Sequence, residues 1–128
     1  MKFSITQNEL NDIADIIGGA IPKKAIKPIL SGVKIYANGG KVIFEATDME
    51  SSVRIESQAT GIEGGGQYVV DASTLKEIAK NSISTLIDFE LEENKVVAHL
   101  GSGEIKIPVM NANDYPELSF AELGDEIN

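Results

Sequence analysis

Lys23, Lys24 and Lys27 fall within five positions that hold no acidic residue, and Lys76 and Lys80 stand i, i+4, the interval that places two side chains on one helix face. Ammonium groups gathered in this way can hold phosphate oxygens without reading bases. The same pattern also keeps an exposed surface soluble, and the residues alone leave both uses open. Eleven Lys and Arg stand against 20 Asp and Glu, a net charge of −9. That balance argues against a domain that grips nucleic acid tightly, because such binding comes mainly from counterions released by many basic side chains.

Other reactive groups are sparse. Asp48 and Glu50 are the most suggestive carboxylate pair: at i, i+2 in a strand they share a face and can do acid–base work or hold a metal, whereas Asp48-Met49-Glu50 after a strand reads equally well as a turn before Ser51. His99 is the one histidine and there is no cysteine, so no nucleophile, base and orienting acid assemble into a triad. Gly64-Gly65-Gly66 and Gly101-Ser102-Gly103 lack the strand–loop–helix setting and lysine of a phosphate-binding loop and read as turns.

The elements that carry these residues are written twice. Phe3 to Ala14 recurs in residue type as Tyr68 to Ala79 at a constant offset of 65, with Ile5 on Val70, Leu10 on Leu75 and Ile13 on Ile78. Thr6 falls on Asp71, and both are helix-capping types. Thr6-Gln7-Asn8-Glu9 further reads as a capping box in which Glu9 reaches back to the cap. A short strand therefore enters a helix in each half. Helical spacing then gives way to alternation, which predicts three strands per half: about 30–36, 41–46 and 51–57, then 85–91, 95–100 and 104–109. Asn38-Gly39-Gly40, Glu93-Asn94 and Gly101-Ser102-Gly103 supply turns, and the three glycines at 64–66 separate the halves. The expected fold class is α+β, a duplicated strand–helix–three-strand unit with both helices on one side of antiparallel sheet.

A chain of 128 residues with 42% hydrophobic content fits one domain with its own core and excludes a disordered chain. No apolar run is long enough to span a bilayer, and no basic start leads into an apolar stretch and cleavage site, so a cytoplasmic protein is expected.

Several short segments occur in order: Met1-Lys2-Phe3, Lys27-Pro28-Ile29-Leu30-Ser31-Gly32, Ala46-Thr47-Asp48-Met49-Glu50, Val70-Asp71-Ala72 and Asn113-Asp114-Tyr115-Pro116-Glu117. Together they closely resemble the N-terminal domain of the bacterial sliding clamp, the β subunit of DNA polymerase III. The resemblance covers residues 1 to about 120, with half-repeats of about 1–60 and 66–110, and makes 121–128 the start of a connection to a second domain. It implies the DNA-clamp fold: three such domains per subunit, two subunits closed head to tail into a homodimeric ring around duplex DNA, and helices lining the hole. The sequence in hand then corresponds to one domain of a longer protein.

The resemblance also implies roles. A basic residue at the position of Lys24 contacts DNA, with Lys23 and Lys27 as weaker neighbours and Lys76 and Lys80 available on the second helix. The first helix departs from a basic face, exposing Asn8, Asn11, Asp12 and Asp15. Gly103-Glu104-Ile105-Lys106-Ile107 matches the edge strand that pairs with the last domain of the other subunit. Alternation sets Ile105 and Ile107 on one face and leaves core and interface open, and the resemblance favours interface. No cofactor, metal, catalysis or membrane contact is implied. Polymerase and clamp-loader peptides are expected to bind mainly the second and third domains. Two rivals stand beside this: a small acidic protein-binding module whose lysines are incidental, and an acid–base hydrolase using Asp48 and Glu50.

Overall fold

A computed structural model describes residues 1–21, 28–82, 84–92, 94–101 and 103–116. In chain order the elements are β1 (Lys2–Thr6), α1 (Gln7–Gly18), β2 (Gly32–Asn38), β3 (Lys41–Thr47), β4 (Ser52–Glu56), β5 (Thr60–Glu63), β6 (Gln67–Asp71), α2 (Ala72–Asn81), β7 (Leu86–Glu92), β8 (Lys95–His99) and β9 (Glu104–Pro108). The repeat survives in three dimensions: β1 and β6 begin at 2 and 67, α1 and α2 at 7 and 72, and both differences are 65. Each helix starts as its cap residue predicts. The Thr6 hydroxyl accepts from the Glu9 amide at 3.2 Å, and the Asp71 carboxylate accepts from the Thr74 amide at 3.2 Å. The capping box is not closed as expected, because the Glu9 carboxylate instead accepts from the Gln58 amide at 2.8 Å and ties α1 to the chain beyond β4.

The strands form two antiparallel sheets, one in the order β5-β1-β7-β8-β9 and one in the order β4-β3-β2-β6. The leading strand of each half has crossed to the other half: β1 aligns Phe3 with Phe89 on β7, and β6 aligns Val70 with Val33 on β2. The two repeats are thus interlocked rather than placed side by side. Sequence spacing does not predict β5, since its burial pattern over Thr60–Glu63 lacks alternation and Gly61 has a positive φ of 61°.

Both helices lie on the same side and pack against each other. Gln7 Nε2 donates to the carbonyl oxygens of Ala79 (2.7 Å) and Ser82 (2.9 Å), so the first turn of α1 satisfies carbonyls that the end of α2 leaves open. Leu10, Ile13 and Ile17 from α1 and Leu75 and Ile78 from α2 enter one core shared by both sheets. Phe3 links the sheets by stacking on Phe89 at 5.2 Å and meeting Phe44 edge-on at 6.4 Å, a geometry aromatic rings favour. A smaller cluster of Ile29, Leu30, Val69, Ala112 and Tyr115 includes residues on both sides of β9 in the chain. There Gly32 is required by space: a Cβ would lie 2.4 Å from Val69 Cγ1. The expected connection at 121–128 lies outside the described residues.

Candidate nucleic-acid interface and edge strand

The amphipathic pattern of each helix decides which side chains form the outer surface of the helix layer. On α1, burying Leu10, Ile13, Ala14 and Ile17 leaves Asn8, Asn11, Asp12, Asp15 and Ile16 exposed. On α2, burying Leu75, Ile78 and Ala79 exposes Lys76 and Lys80 on one face. Lys80 lies in the last turn, where a cation meets the negative end of the helix dipole. Lys76 has a partner that its own helix does not supply: its Nζ is 3.8 Å from Asp15 Oδ1 on α1, with both side chains more than half exposed. No spacing rule signals that contact, because it depends on the way α1 and α2 pack. Lys23, Lys24 and Lys27 lie outside the described residues. The described part of the layer therefore presents two lysines beside three acids, Asp12, Asp15 and Glu77, which suits loose attraction of phosphates.

The segment 103–107 falls where the alternation predicted, with Glu104 to Pro108 as β9 at the end of the five-stranded sheet. It pairs with β8, and among the described residues no strand covers its other edge. The side chain of Ile107 is 2% exposed within the main core, and Ile105 is partly buried against it, while Glu104 and Lys106 are exposed. Both isoleucines therefore pack inward, and what this strand offers outward is its backbone and the two charged side chains.

The carboxylate pair resolves into a turn. Asp48 Oδ1 accepts from the amides of Ser51 (2.7 Å) and Glu50 (2.9 Å), and these bonds hold the Asp48 carboxyl below its ordinary range. The carboxylate shapes the loop between β3 and β4, in which Met49 has a positive φ of 76°. The acid–base reading, which needed Asp48 and Glu50 on one strand face, loses its geometry. His99 is exposed at the end of β8, with Nδ1 3.6 Å from Glu104 on β9. The turn between β8 and β9 is closed by the Leu100 amide donating to the Gly103 carbonyl at 2.9 Å. Gly64 and Gly66 adopt positive φ before β6, as turn residues do. One polar cluster has no precursor in the sequence reading. The Tyr36 hydroxyl donates to the buried Glu45 carboxylate, which lies 3.8 Å from Arg54 Nε. Burial first, then Glu45, pushes the Tyr36 hydroxyl up to about 12.

The family described as DNA polymerase III beta subunit, N-terminal domain, matches residues 1–119. A beta sliding clamp from Micrococcus luteus is 30% identical over 118 residues, spanning 92% of this chain and 38% of that protein. One from Synechococcus elongatus is 29% identical, spanning 95% of this chain and 33% of that protein. The crystal structure of the DNA polymerase III beta subunit from Thermotoga maritima superposes with a TM-score of 0.86 at 30% identity, covering 92% of this chain and 32% of the other. This chain thus spans roughly a third of the length of the relatives it matches. With the family matched over nearly all of its length and the fold matched with it, the chain belongs to the DNA polymerase III beta subunit family, as its N-terminal domain.

Proposed function

We propose that this chain works as one domain of a ring-shaped sliding clamp, a non-catalytic processivity factor that encircles duplex DNA and tethers a replicative polymerase in the cytoplasm. The observation that carries the reading is the match over residues 1–119 to the family's N-terminal domain. In this reading residues 1–120 are the clamp domain, with half-repeats of about 1–60 and 66–110. Lys24 contacts DNA phosphates, Lys23 and Lys27 assist, and Lys76 and Lys80 add charge from α2. A ring held by topology needs only weak attraction to centre the duplex, and base contacts would create barriers to sliding. A helix layer that mixes two lysines with nearby carboxylates fits that demand.

The backbone edge of 103–107 pairs with the last domain of a second subunit arranged head to tail, and polymerase and clamp-loader peptides bind the other domains. Titration of the 128-residue chain with duplexes of several sequences at two salt concentrations tests the DNA half of the reading. Weak, sequence-independent binding that falls as salt rises is expected. Tight binding that survives high salt, or preference for one sequence, contradicts it.

A further inference from the structure

We infer that Met49 is a contact point for a partner protein, its side chain held out at the tip of the β3–β4 turn to enter an apolar pocket with a basic rim. The clamp reading gives this turn no role, so the inference goes beyond it and draws on it only for the choice of probes.

Among the described residues, a positive φ is found at Gly39, Gly40, Gly61, Gly64, Gly66 and Gly101, all glycine, and at Met49, with 76°. A Cβ disfavours that region on the order of tenfold relative to glycine. The turn does not need methionine for its own bonds. The Met49 amide donates to Thr47 Oγ1 at 3.0 Å, and the Thr47 hydroxyl and the Asp48 amide donate to the Ser51 carbonyl at 3.0 and 3.2 Å. Asp48 Oδ1 accepts from the amides of Glu50 and Ser51. All of these use the backbone or the side chains of Thr47 and Asp48. The core does not need methionine here either, because Met49 is 65% exposed, more than Ile16 or Leu86, the other exposed large hydrophobics among the described residues. Met49 thus holds a disfavoured conformation and leaves apolar surface in water, and glycine or asparagine would avoid both. Its use lies outside the domain.

A methionine side chain is unbranched and polarizable, fits irregular apolar pockets and is enriched in interface cores. The flanking residues decide the kind of partner. Asp48 and Glu50 bracket the tip, with Glu50 exposed, and no basic residue occurs from Thr47 to Val53. Arg54, the first one after it, lies 3.8 Å from Glu45. Two carboxylates beside the tip repel phosphates, so nucleic acid does not fit. An apolar pocket rimmed by Lys or Arg does, because opposite charges then meet around the buried thioether. The side-chain bonds of Thr47 and Asp48 fix the loop before contact, which lowers the ordering cost of docking.

Two measurements on Met49→Asn test this, with Met49→Leu as the apolar control. Asparagine tolerates a positive φ, so the melting temperature of the 128-residue chain should rise by roughly 2–6 °C. In a full-length ring the same substitution should weaken the binding of purified polymerase or of purified clamp loader by about fivefold or more. Glu50→Lys should weaken binding of the same partner, through repulsion at the rim. Met49→Leu should stay within about twofold of the unmodified ring, since Leu and Met exchange at little cost. A gain in stability joined to a loss of binding is an outcome that a purely structural residue does not give. If the unmodified ring binds both probes and Met49→Asn weakens neither, the inference falls and the clamp reading stands. A melting temperature that does not rise, or a loss with Met49→Leu as large as with Met49→Asn, overturns the inference too. An unmodified ring that binds neither probe overturns both.

Discussion

Asp15 on α1 and Lys76 on α2 meet across the helix layer, with Oδ1 and Nζ 3.8 Å apart. Both are exposed, so the pair adds little to stability. Its effect falls on the availability of the lysine, because an ammonium group beside a carboxylate must leave it, or share it, to meet a phosphate.

Asp15→Asn should therefore strengthen DNA binding by the domain more than Asp12→Asn, which removes the same charge from the same helix face. The gain expected from an exposed pair is small, about two- to fivefold. In a Lys76→Gln background the two substitutions should become equivalent. Fluorescence anisotropy with a labelled duplex at low salt reads all the combinations. Equal effects in the unmodified background would reduce the contact to net charge alone.

Position should matter as much as charge for the lysines. In a full-length ring, Lys24→Glu is expected to impair loading or retention on DNA more than Lys41→Glu. Lys41 sits on the β2–β3 hairpin and is 3.5 Å from Glu56. Both substitutions shift net charge equally, so a loading assay isolates location. Equal defects would mean that the basic surface is not where Lys24 lies.

Ile107 should behave as a core residue. Its side chain is 2% exposed among the main-core residues, so Ile107→Ala is expected to cost about 2–5 kcal/mol. Ile105→Ala, only partly buried, should cost less. Urea melts of the two variants check the order. If Ile107→Ala leaves the domain as stable as before, the packing of β9 against the core is wrong.

All three tyrosines resist ionisation in the folded chain. Burial raises Tyr68 and, first among several causes, Tyr36 and Tyr115, the last two to about 12. An unfolded tyrosine titrates near 10. Since the folded values are raised, this contribution to stability is fully present below about pH 10 and is lost as pH climbs from there through about 12. Phenolate absorbance should stay low at pH 10 and rise together with the loss of tertiary structure. A full phenolate signal at pH 10 from a chain that remains folded would contradict this burial.

Local features were legible in the residues themselves. The capping by Thr6 and Asp71, the buried stripe of each helix and the approximate extents of β3, β4 and β7–β9 depend on neighbours a few positions apart and, with the offset of 65, are present in the structure, whereas the strand expected from about residue 30 begins at Gly32, after a short 3-10 helix over Pro28–Ser31. The ordered segments that resemble the clamp family were likewise visible before any coordinates. Strand exchange was not. Whether β1 pairs with β7 or with a strand of its own half depends on the combined burial of Phe3, Phe44 and Phe89, residues that no periodicity relates. The same holds for the candidate sites. Alternation put Ile105 and Ile107 on one face but could not say which side holds the core, and i, i+4 spacing put Lys76 beside Lys80 without showing Asp15. Those outcomes depend on long-range packing, in which a residue's partners are chosen by the register and crossing of elements distant in the chain.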